Sequence, residues 1–229
     1  MTYREICAQL SDVGIDGAEW DAALLIEHFC GIDASLVPTD PTRDYPSVEL
    51  FEAIRRLPEN AIFADLCTGS GCIAISILAE RRDTRTVAVE KFPATLSLAE
   101  RNALRNRVSD RFTPRLGDVL TSSYLPEGQR FDAILSNPPY IETRVLSTLA
   151  PELNAEPLVA LDGGEDGLLF YRAILTGCAD KLKKGGFFLF EIGYDQAKSL
   201  SGIAHGLGFS GFRVLQDYGK NDRAVLITP

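Results

Sequence analysis

From Ala61 onward, short apolar runs alternate with helix-length segments, and this alternation restricts the chain to a layered α/β fold. Ile62-Phe63-Ala64-Asp65-Leu66 reads as a strand, followed by a glycine-containing turn and an apolar helix from Ile73 to Ala79. Thr86 to Glu90 reads as a second strand, and Pro93, at a helix N1 position, opens a helix to about Asn106. A third strand is expected just before Gly117, and Phe131 to Ser136 is another. Leu168 to Leu182 reads as a helix closed by Lys183 and Lys184 and then Gly185 and Gly186, a basic last turn before glycine. Phe187 to Ile192 is apolar nearly throughout, as in a strand covered on both faces. A helix near Gln196 to Ala204 and two late strands, Gly211 to Leu215 and Ala224 to Ile227, complete the series. The expected fold class is α/β, a doubly wound and mostly parallel seven-stranded sheet, with ligands at the carboxyl ends of its strands.

The stretch before Ala61 has a different texture. Tyr3 to about Gly31 reads as helical, with Leu10 closing one short apolar stripe and Trp20, Leu24, Leu25 and Phe29 forming another. Residues 37–46 hold three prolines and read as a loop, after which Ser47 is the expected N-cap of a helix through Leu50, Phe51 and Ile54 to Arg56. The expected organisation is therefore a small N-terminal helical domain over residues 1–57 and an α/β domain over residues 58–229, with a monomer expected.

Composition narrows the partners. No apolar run approaches the ~20 residues that span a bilayer, and Met1-Thr2-Tyr3-Arg4-Glu5 lacks the layout of a signal peptide. No membrane partner is expected on that ground; the five cysteines are scattered, with no CxxC pair, which points to reduced thiols in a cytoplasmic protein without a metal site. The net charge of −9 disfavours direct nucleic-acid binding. The cluster Arg101, Arg105, Arg107 and Arg111 reads as a solvated helix end. With His28 and His205 the only histidines, a histidine base has few candidates.

Asp65-Leu66-Cys67-Thr68-Gly69-Ser70-Gly71 lies between the first strand and its helix, where glycines allow close backbone approach to a ligand. It is neither a Walker A loop nor a full dinucleotide fingerprint. Glu90, followed by Lys91, ends the second strand some 20 residues on, where an acid accepts ribose hydroxyls. Asp118, followed by Val119, comes after the expected third strand and can accept from an adenine amine. Three acids at successive strand ends, without a phosphate-binding lysine, suit a nucleoside lacking phosphates. S-adenosyl-L-methionine is such a ligand, and its sulfonium favours an anionic pocket.

Ser136-Asn137-Pro138-Pro139-Tyr140-Ile141 directly follows a buried strand. Its two prolines fix φ and remove two backbone donors, leaving carbonyls to face a ligand. The set matches a planar NH2 acceptor: Asn137 Oδ1 and the Pro138 carbonyl can each take one N–H, and the Tyr140 ring can lie on the flat face. Asn137 also belongs to the expected cofactor-binding set, since it stands where cofactor and acceptor meet.

The tetrapeptide Asn137-Pro138-Pro139-Tyr140 resembles the mark of amino-group methyltransferases acting on adenine, cytosine or glutamine amides. The wider pattern resembles the HemK-type family of peptide-chain release factor glutamine N5-methyltransferases, in the class I SAM-dependent group. That resemblance runs through Asp65 to Gly71, Val87 to Glu90, Ala99-Glu100-Arg101-Asn102-Ala103, Phe131 to Ile141, Glu156-Pro157-Leu158 and Leu161 to Gly167. It continues in Gly185-Gly186, Glu191-Ile192-Gly193 and Asp217-Tyr218, so it covers nearly all of residues 58–229.

The resemblance implies methyl transfer from S-adenosyl-L-methionine, leaving S-adenosyl-L-homocysteine, to the glutamine of the Gly-Gly-Gln loop of class 1 release factors. Cys67 to Gly71 would wrap the methionine part, although a glycine is usual where Cys67 stands. Glu90 would hold the ribose, Asp118 and Val119 would flank the adenine, and Asn137 to Tyr140 would hold the glutamine. The leading helices would recognise the substrate. One departure stands out: the family's β-rich linker, with its Arg-Pro-Glu/Asp-Thr-Glu motif, has no counterpart before strand one, and on the order of 40–50 residues are absent. Other readings open at this point are glutamine methylation of a ribosomal protein, amino methylation of a nucleic-acid base, and a non-catalytic cofactor- or release-factor-binding module.

Overall fold

The computed structural model describes residues 48–121, 124–148, 158–216 and 220–229. The expected helices between Tyr3 and Gly31, the proline-rich loop, the Ser47 cap, Glu156-Pro157 and Asp217-Tyr218 lie outside the described residues.

Five helices and seven strands follow in the order α1 (Val48–Arg56), β1 (Ile62–Leu66), α2 (Cys72–Glu80), β2 (Arg85–Glu90), α3 (Pro93–Arg105), β3 (Phe112–Leu116), β4 (Phe131–Ser136), α4 (Leu169–Cys178), β5 (Leu182–Glu191), α5 (Ala197–Gly206), β6 (Gly211–Gln216) and β7 (Asp222–Thr228). The strands form one sheet in the order β3-β2-β1-β4-β5-β7-β6. Every pairing from β3 to β5 is parallel, and only β7 runs antiparallel to its neighbours β5 and β6. This is the doubly wound, mostly parallel seven-stranded fold that the strand–helix alternation predicts.

The period of two within each strand divides the core between two faces. Leu66, Ile134, Phe188, Phe190, Val225 and Ile227 pack with α4 and α5, through Tyr171, Ile174, Leu175, Leu200 and Ala204. Phe63, Leu135, Phe187, Leu189 and Leu226 pack on the other face with α1, α2 and α3, through Ala53, Leu57, Ile77, Leu78, Ala99 and Ala103. Because helices cover both faces, the central strands are apolar at consecutive positions.

Two local readings change. Helix α4 ends at Cys178, Ala179–Lys181 forms a 3-10 turn, and Lys183 to Gly186 belong to β5. The strand bulges there: Phe131 pairs with Leu182, yet Ala133 pairs with Phe187. Lys183 Nζ meets Asp132 Oδ2 at 2.7 Å, and Gly185 takes φ +82°, a conformation that suits glycine. The basic-then-glycine sequence therefore marks a bulge held by an ion pair between neighbouring strands rather than a helix terminus. Arg111 likewise is no solvated helix end. It is half-buried and donates to the carbonyls of Leu78, Arg81 and Thr84, closing the carboxyl end of α2.

The join between α1 and β1 is short and firmly tied. Arg81 donates to the carbonyls of Ile54, Leu57 and Pro58, each at 2.9 Å, and Asp83 accepts from the Asn60 amide at 2.8 Å. Arg81→Ala leaves three carbonyls of this join without their cationic donor. We expect a loss of about 2 kcal/mol in urea unfolding, given ~1.5–3 kcal/mol for a hydrogen bond to a charged group and part replacement by water. Unchanged stability would show that the join holds without it.

Candidate active site

Parallel register sets the site. Leu66 is level with Val89 on one side and Ser136 on the other, Glu90 with Leu116, and Ser136 with Phe190. The residues that follow, Cys67, Lys91, Gly117 and Asn137, therefore leave the sheet along one edge, where Glu191 ends β5. Between β1 and β4 the chain switches direction across the sheet, the place where doubly wound folds hold ligands.

At the centre of that edge, Asp65 is 1% exposed. Its Oδ2 accepts from the Thr68 hydroxyl at 2.5 Å and the Ala74 amide at 3.2 Å, which fixes the loop against the start of α2. Its Oδ1 is buried and has no hydrogen-bond partner among the described residues. Burial pushes the carboxyl up to about 7, against the two hydrogen bonds and with help from the negative charge of Glu90.

The loop after β1 is held from several sides. Thr68 N donates to Val89 O at 3.0 Å, Gly69 N to Glu90 Oε2 at 3.0 Å, and Asn102 Nδ2 from α3 to Ser70 O at 2.9 Å. Gly69 takes φ +58° with open space where a Cβ would stand. At Gly71, φ +83°, a Cβ would come within 2.8 Å of Ile75. Cys67 also takes positive φ, +58°, at a cost on the order of 1–2 kcal/mol for a residue with a Cβ. A glycine there would carry no such cost, which gives a physical reason for glycine being usual at this position. Burial pushes the Cys67 thiol up to about 12, so it is a neutral packing group and no nucleophile.

Glu90 is 7% exposed; besides Gly69 N it accepts the Phe92 amide on Oε1 at 3.0 Å. Asp118 Oδ1 accepts the Leu120 amide at 2.9 Å, and Lys91 Nζ meets Asp118 Oδ2 at 2.9 Å, tying the ends of β2 and β3 together. Partial burial opposes ionisation of Asp118, but the Leu120 amide and the Lys91 ammonium prevail and hold its carboxyl below the usual range. Val119 is buried beside them.

In the tetrapeptide, Asn137 is exposed, Pro138 is buried, and Pro139 and Tyr140 are half-buried. The Asn137 side chain has no hydrogen-bond partner among the described residues. The loop is anchored at both ends. Ser136 Oγ donates to Leu66 O at 2.6 Å, and beyond Tyr140 the Ile141 amide donates to Leu161 O while Gly163 N donates to Ile141 O. Gly163 lies so close that a Cβ would come within 2.7 Å of Tyr140 Cα. Tyr140 Oη stands 3.5 Å from Glu191 Oε1 at the end of β5. A small pocket beside this loop is lined by Ala53, Ile73, Leu135, Ser136, Leu189 and Glu191.

The structure thus gathers Asp65, Cys67 to Gly71, Glu90, Lys91, Asp118, Val119 and Asn137 to Tyr140 along one edge. Sequence reading missed Glu191 as a neighbour of Tyr140, Ser136 as the loop's anchor, and Gln196, whose amide touches the same loop. Ser136 and Glu191 stand in segments the sequence singles out, but their roles as anchor and as neighbour of Tyr140 are contacts between strands that no local pattern marks; Gln196 stands in none.

Comparison with known proteins matches residues 43–162 to the family model "Methyltransferase small domain". That stretch contains every one of the gathered residues. The chain is 39% identical over 203 residues to a "Release factor glutamine methyltransferase" of Geobacter sulfurreducens, covering 87% of this chain and 69% of that one. It is 31% identical to the protein of the same name from Caulobacter vibrioides, covering 95% of this chain and 92% of that one. This second alignment runs over 268 positions, more than the 229 residues of this chain, so several dozen positions of the relative have no counterpart here. Among solved structures, a SAM-dependent O-methyltransferase of Thermotoga maritima matches with a TM-score of 0.58 at 17% identity, over 81% of this chain and 66% of that one. A methyltransferase of Pyrococcus furiosus matches with 0.56 at 19% identity, over 82% and 84%. At such identities these two speak for the fold alone.

Proposed function

The chain belongs to the family of release factor glutamine methyltransferases, and on that premise we propose that it moves the methyl group of S-adenosyl-L-methionine onto the side-chain amide nitrogen of the glutamine in the Gly-Gly-Gln loop of a class 1 release factor, in the cytoplasm. The observation that carries the reading is an exposed, unpartnered Asn137 carboxamide on a proline-fixed loop, one strand away from a glycine loop with a buried acceptor, Asp65 Oδ1, that lacks a donor.

The donor set fits the cofactor. An orphaned carboxylate oxygen calls for an ammonium or hydroxyl donor, and Gly69 leaves room for close approach. Asp65 and Cys67 to Gly71 would hold the methionine part, Glu90 the ribose, and Asp118, Val119 and Lys91 the adenine side. Bound there, the cofactor supplies an electrophilic methyl on a sulfonium.

The chain's own residues handle the acceptor. An amide nitrogen is a weak nucleophile because its lone pair is delocalised into the carbonyl. Asn137 Oδ1 and the Pro138 carbonyl each accept one N–H, which raises electron density on nitrogen and fixes its orientation. Tyr140 presents its ring to the flat face of the carboxamide. The proton leaves after transfer, when nitrogen has become cationic, so no histidine base is needed.

Labelled cofactor incubated with a release factor, a ribosomal protein and duplex DNA in parallel tests the reading. Label in the release factor alone is expected; label in DNA or ribosomal protein instead would refute the substrate assignment.

Asp65 gives a pH dependence. Its carboxyl is raised to about 7 in the folded protein against about 4 in the unfolded chain, so between these values the folded state keeps a proton the unfolded chain has lost, and stability falls as pH rises through that window. A cationic ligand favours the carboxylate. Cofactor binding is therefore expected to release a proton near pH 6.5 and to tighten between pH 6 and 8, by up to about tenfold. Calorimetry in two buffers of different ionisation enthalpy reads both effects; a pH-independent affinity with no proton release would exclude Asp65 as the partner of the cofactor's cationic groups.

A further inference from the structure

Gln196 lies at the amino end of α5, is 9% exposed, and takes no part in the chemistry described so far. Its side-chain amide touches three segments far apart in sequence. Nε2 donates to Tyr140 O at 2.8 Å and to Gly167 O at 3.2 Å, and Oε1 accepts the Gly193 amide at 3.0 Å. Two carbonyls on one side and an N–H on the other fix which end of the amide is nitrogen. Two of the three neighbouring backbones, at Gly167 and Gly193, are glycine where they come close. A Cβ at Gly167 would lie 2.4 Å from Tyr140 O and 2.6 Å from Gln196 Nε2, and one at Gly193 would lie 3.2 Å from Gln196 Oε1.

We propose that Gln196 is the positioning residue of the acceptor loop: it clamps the Tyr140 carbonyl to Gly167 and Gly193, and so sets the plane of the Tyr140 ring and the aim of Asn137. The loop's other end is already fixed by β4 and by the Ser136 bond to Leu66. Beyond Tyr140 the bonds with Leu161 and Gly163 fix Ile141. Gln196 Nε2 holds the Tyr140 carbonyl between these two anchors. The same amide joins the loop to the segment just after Glu191, whose Oε1 lies 3.5 Å from the Tyr140 hydroxyl, so ring and hydroxyl partner are held as one unit.

This inference rests on the methyl-transfer reading, and its test separates the two. Gln196→Met keeps the bulk and removes all three hydrogen bonds. At saturating cofactor its kcat is expected to fall about 100-fold, the scale of a misplacement of roughly 1 Å. KM for the release factor and the affinity for S-adenosyl-L-homocysteine should stay within about threefold. Gln196→Glu adds a pH signature. As a neutral acid the new carboxyl can donate to Tyr140 O; as a carboxylate it faces two carbonyl oxygens and repels them. The ratio of its kcat to wild type should therefore rise as pH falls from about 8.5 to 6.5. Nearby ionisable groups, Asp166 with Arg172, Tyr171, Glu191 and Asp195, are common to both proteins and cancel in that ratio.

A kcat within threefold of wild type in Gln196→Met, a parallel loss of cofactor affinity, or a flat ratio in Gln196→Glu would overturn the assignment. Should the wild-type protein methylate no release factor, the functional reading fails, and amide hydrogen exchange decides the clamp alone. Faster exchange at Ile141 and Gly163 in Gln196→Met, with Val89 unchanged, keeps it; unchanged exchange at all three removes it.

Discussion

Asn137→Ala is expected to lower methyl transfer by about 10²–10³-fold, the usual effect of deleting one fixed hydrogen-bonding group that acts on the reacting centre. The folded protein should barely notice the change, since Asn137 is exposed and bonds to no other described residue. Cofactor affinity should stay within about twofold, because Asp65, Glu90 and the glycine loop are held by other contacts. The loss should therefore appear in kcat. Activity close to wild type in this variant would remove the acceptor-binding role from the tetrapeptide.

The second large effect belongs to Glu90. Its carboxylate accepts two backbone amides, Gly69 at the tip of the glycine loop and Phe92 before α3, in addition to its proposed hold on the ribose. Each hydrogen bond to a charged group contributes about 1.5–3 kcal/mol. Glu90→Ala should then weaken S-adenosyl-L-homocysteine binding about 100-fold, equivalent to ~2.7 kcal/mol. Calorimetric titration reads this directly. Unchanged affinity would place the nucleoside elsewhere along the edge. The two variants divide the site: Asn137 governs the acceptor and Glu90 the donor.

The sheet and its edge are legible in the residues because both follow from short-range pattern. Runs such as Ile62 to Leu66 and Phe187 to Ile192 are apolar at successive positions, and that reports two covered faces without knowledge of the partners. Once the strands are known to be parallel and adjacent, residues just beyond each carboxyl end must share an edge, and Asp65, Glu90, Asp118 and Asn137 sit there. The bulge in β5 was not legible, because Lys183-Lys184-Gly185-Gly186 has the same local chemistry as a helix end, and the ion pair with Asp132 is a contact between strands. Arg111 and Gln196 escaped for a related reason. Each satisfies backbone groups from two or more distant segments, and nothing at either position repeats or alternates. The Cys67 conformation was partly legible, in that glycine was expected there. Only the structure shows the positive φ that makes glycine the easier residue.

The join between α1 and β1 is short, and Leu57, Pro58 and Asn60 are tied down by Arg81 and Asp83. Ala53 of α1 lines a small pocket with Ser136 and Glu191, which brings this helix next to the carboxyl edge of the sheet.

The most direct test of a carboxamide held against a methyl donor is mass spectrometry of a release factor after incubation with this protein and S-adenosyl-L-methionine, with peptides mapped across the Gly-Gly-Gln loop. A single added methyl on that glutamine, absent with Asn137→Ala and absent when the glutamine is replaced by glutamate, is the expected result. An unmodified loop, or a methyl on any other residue, would contradict the account.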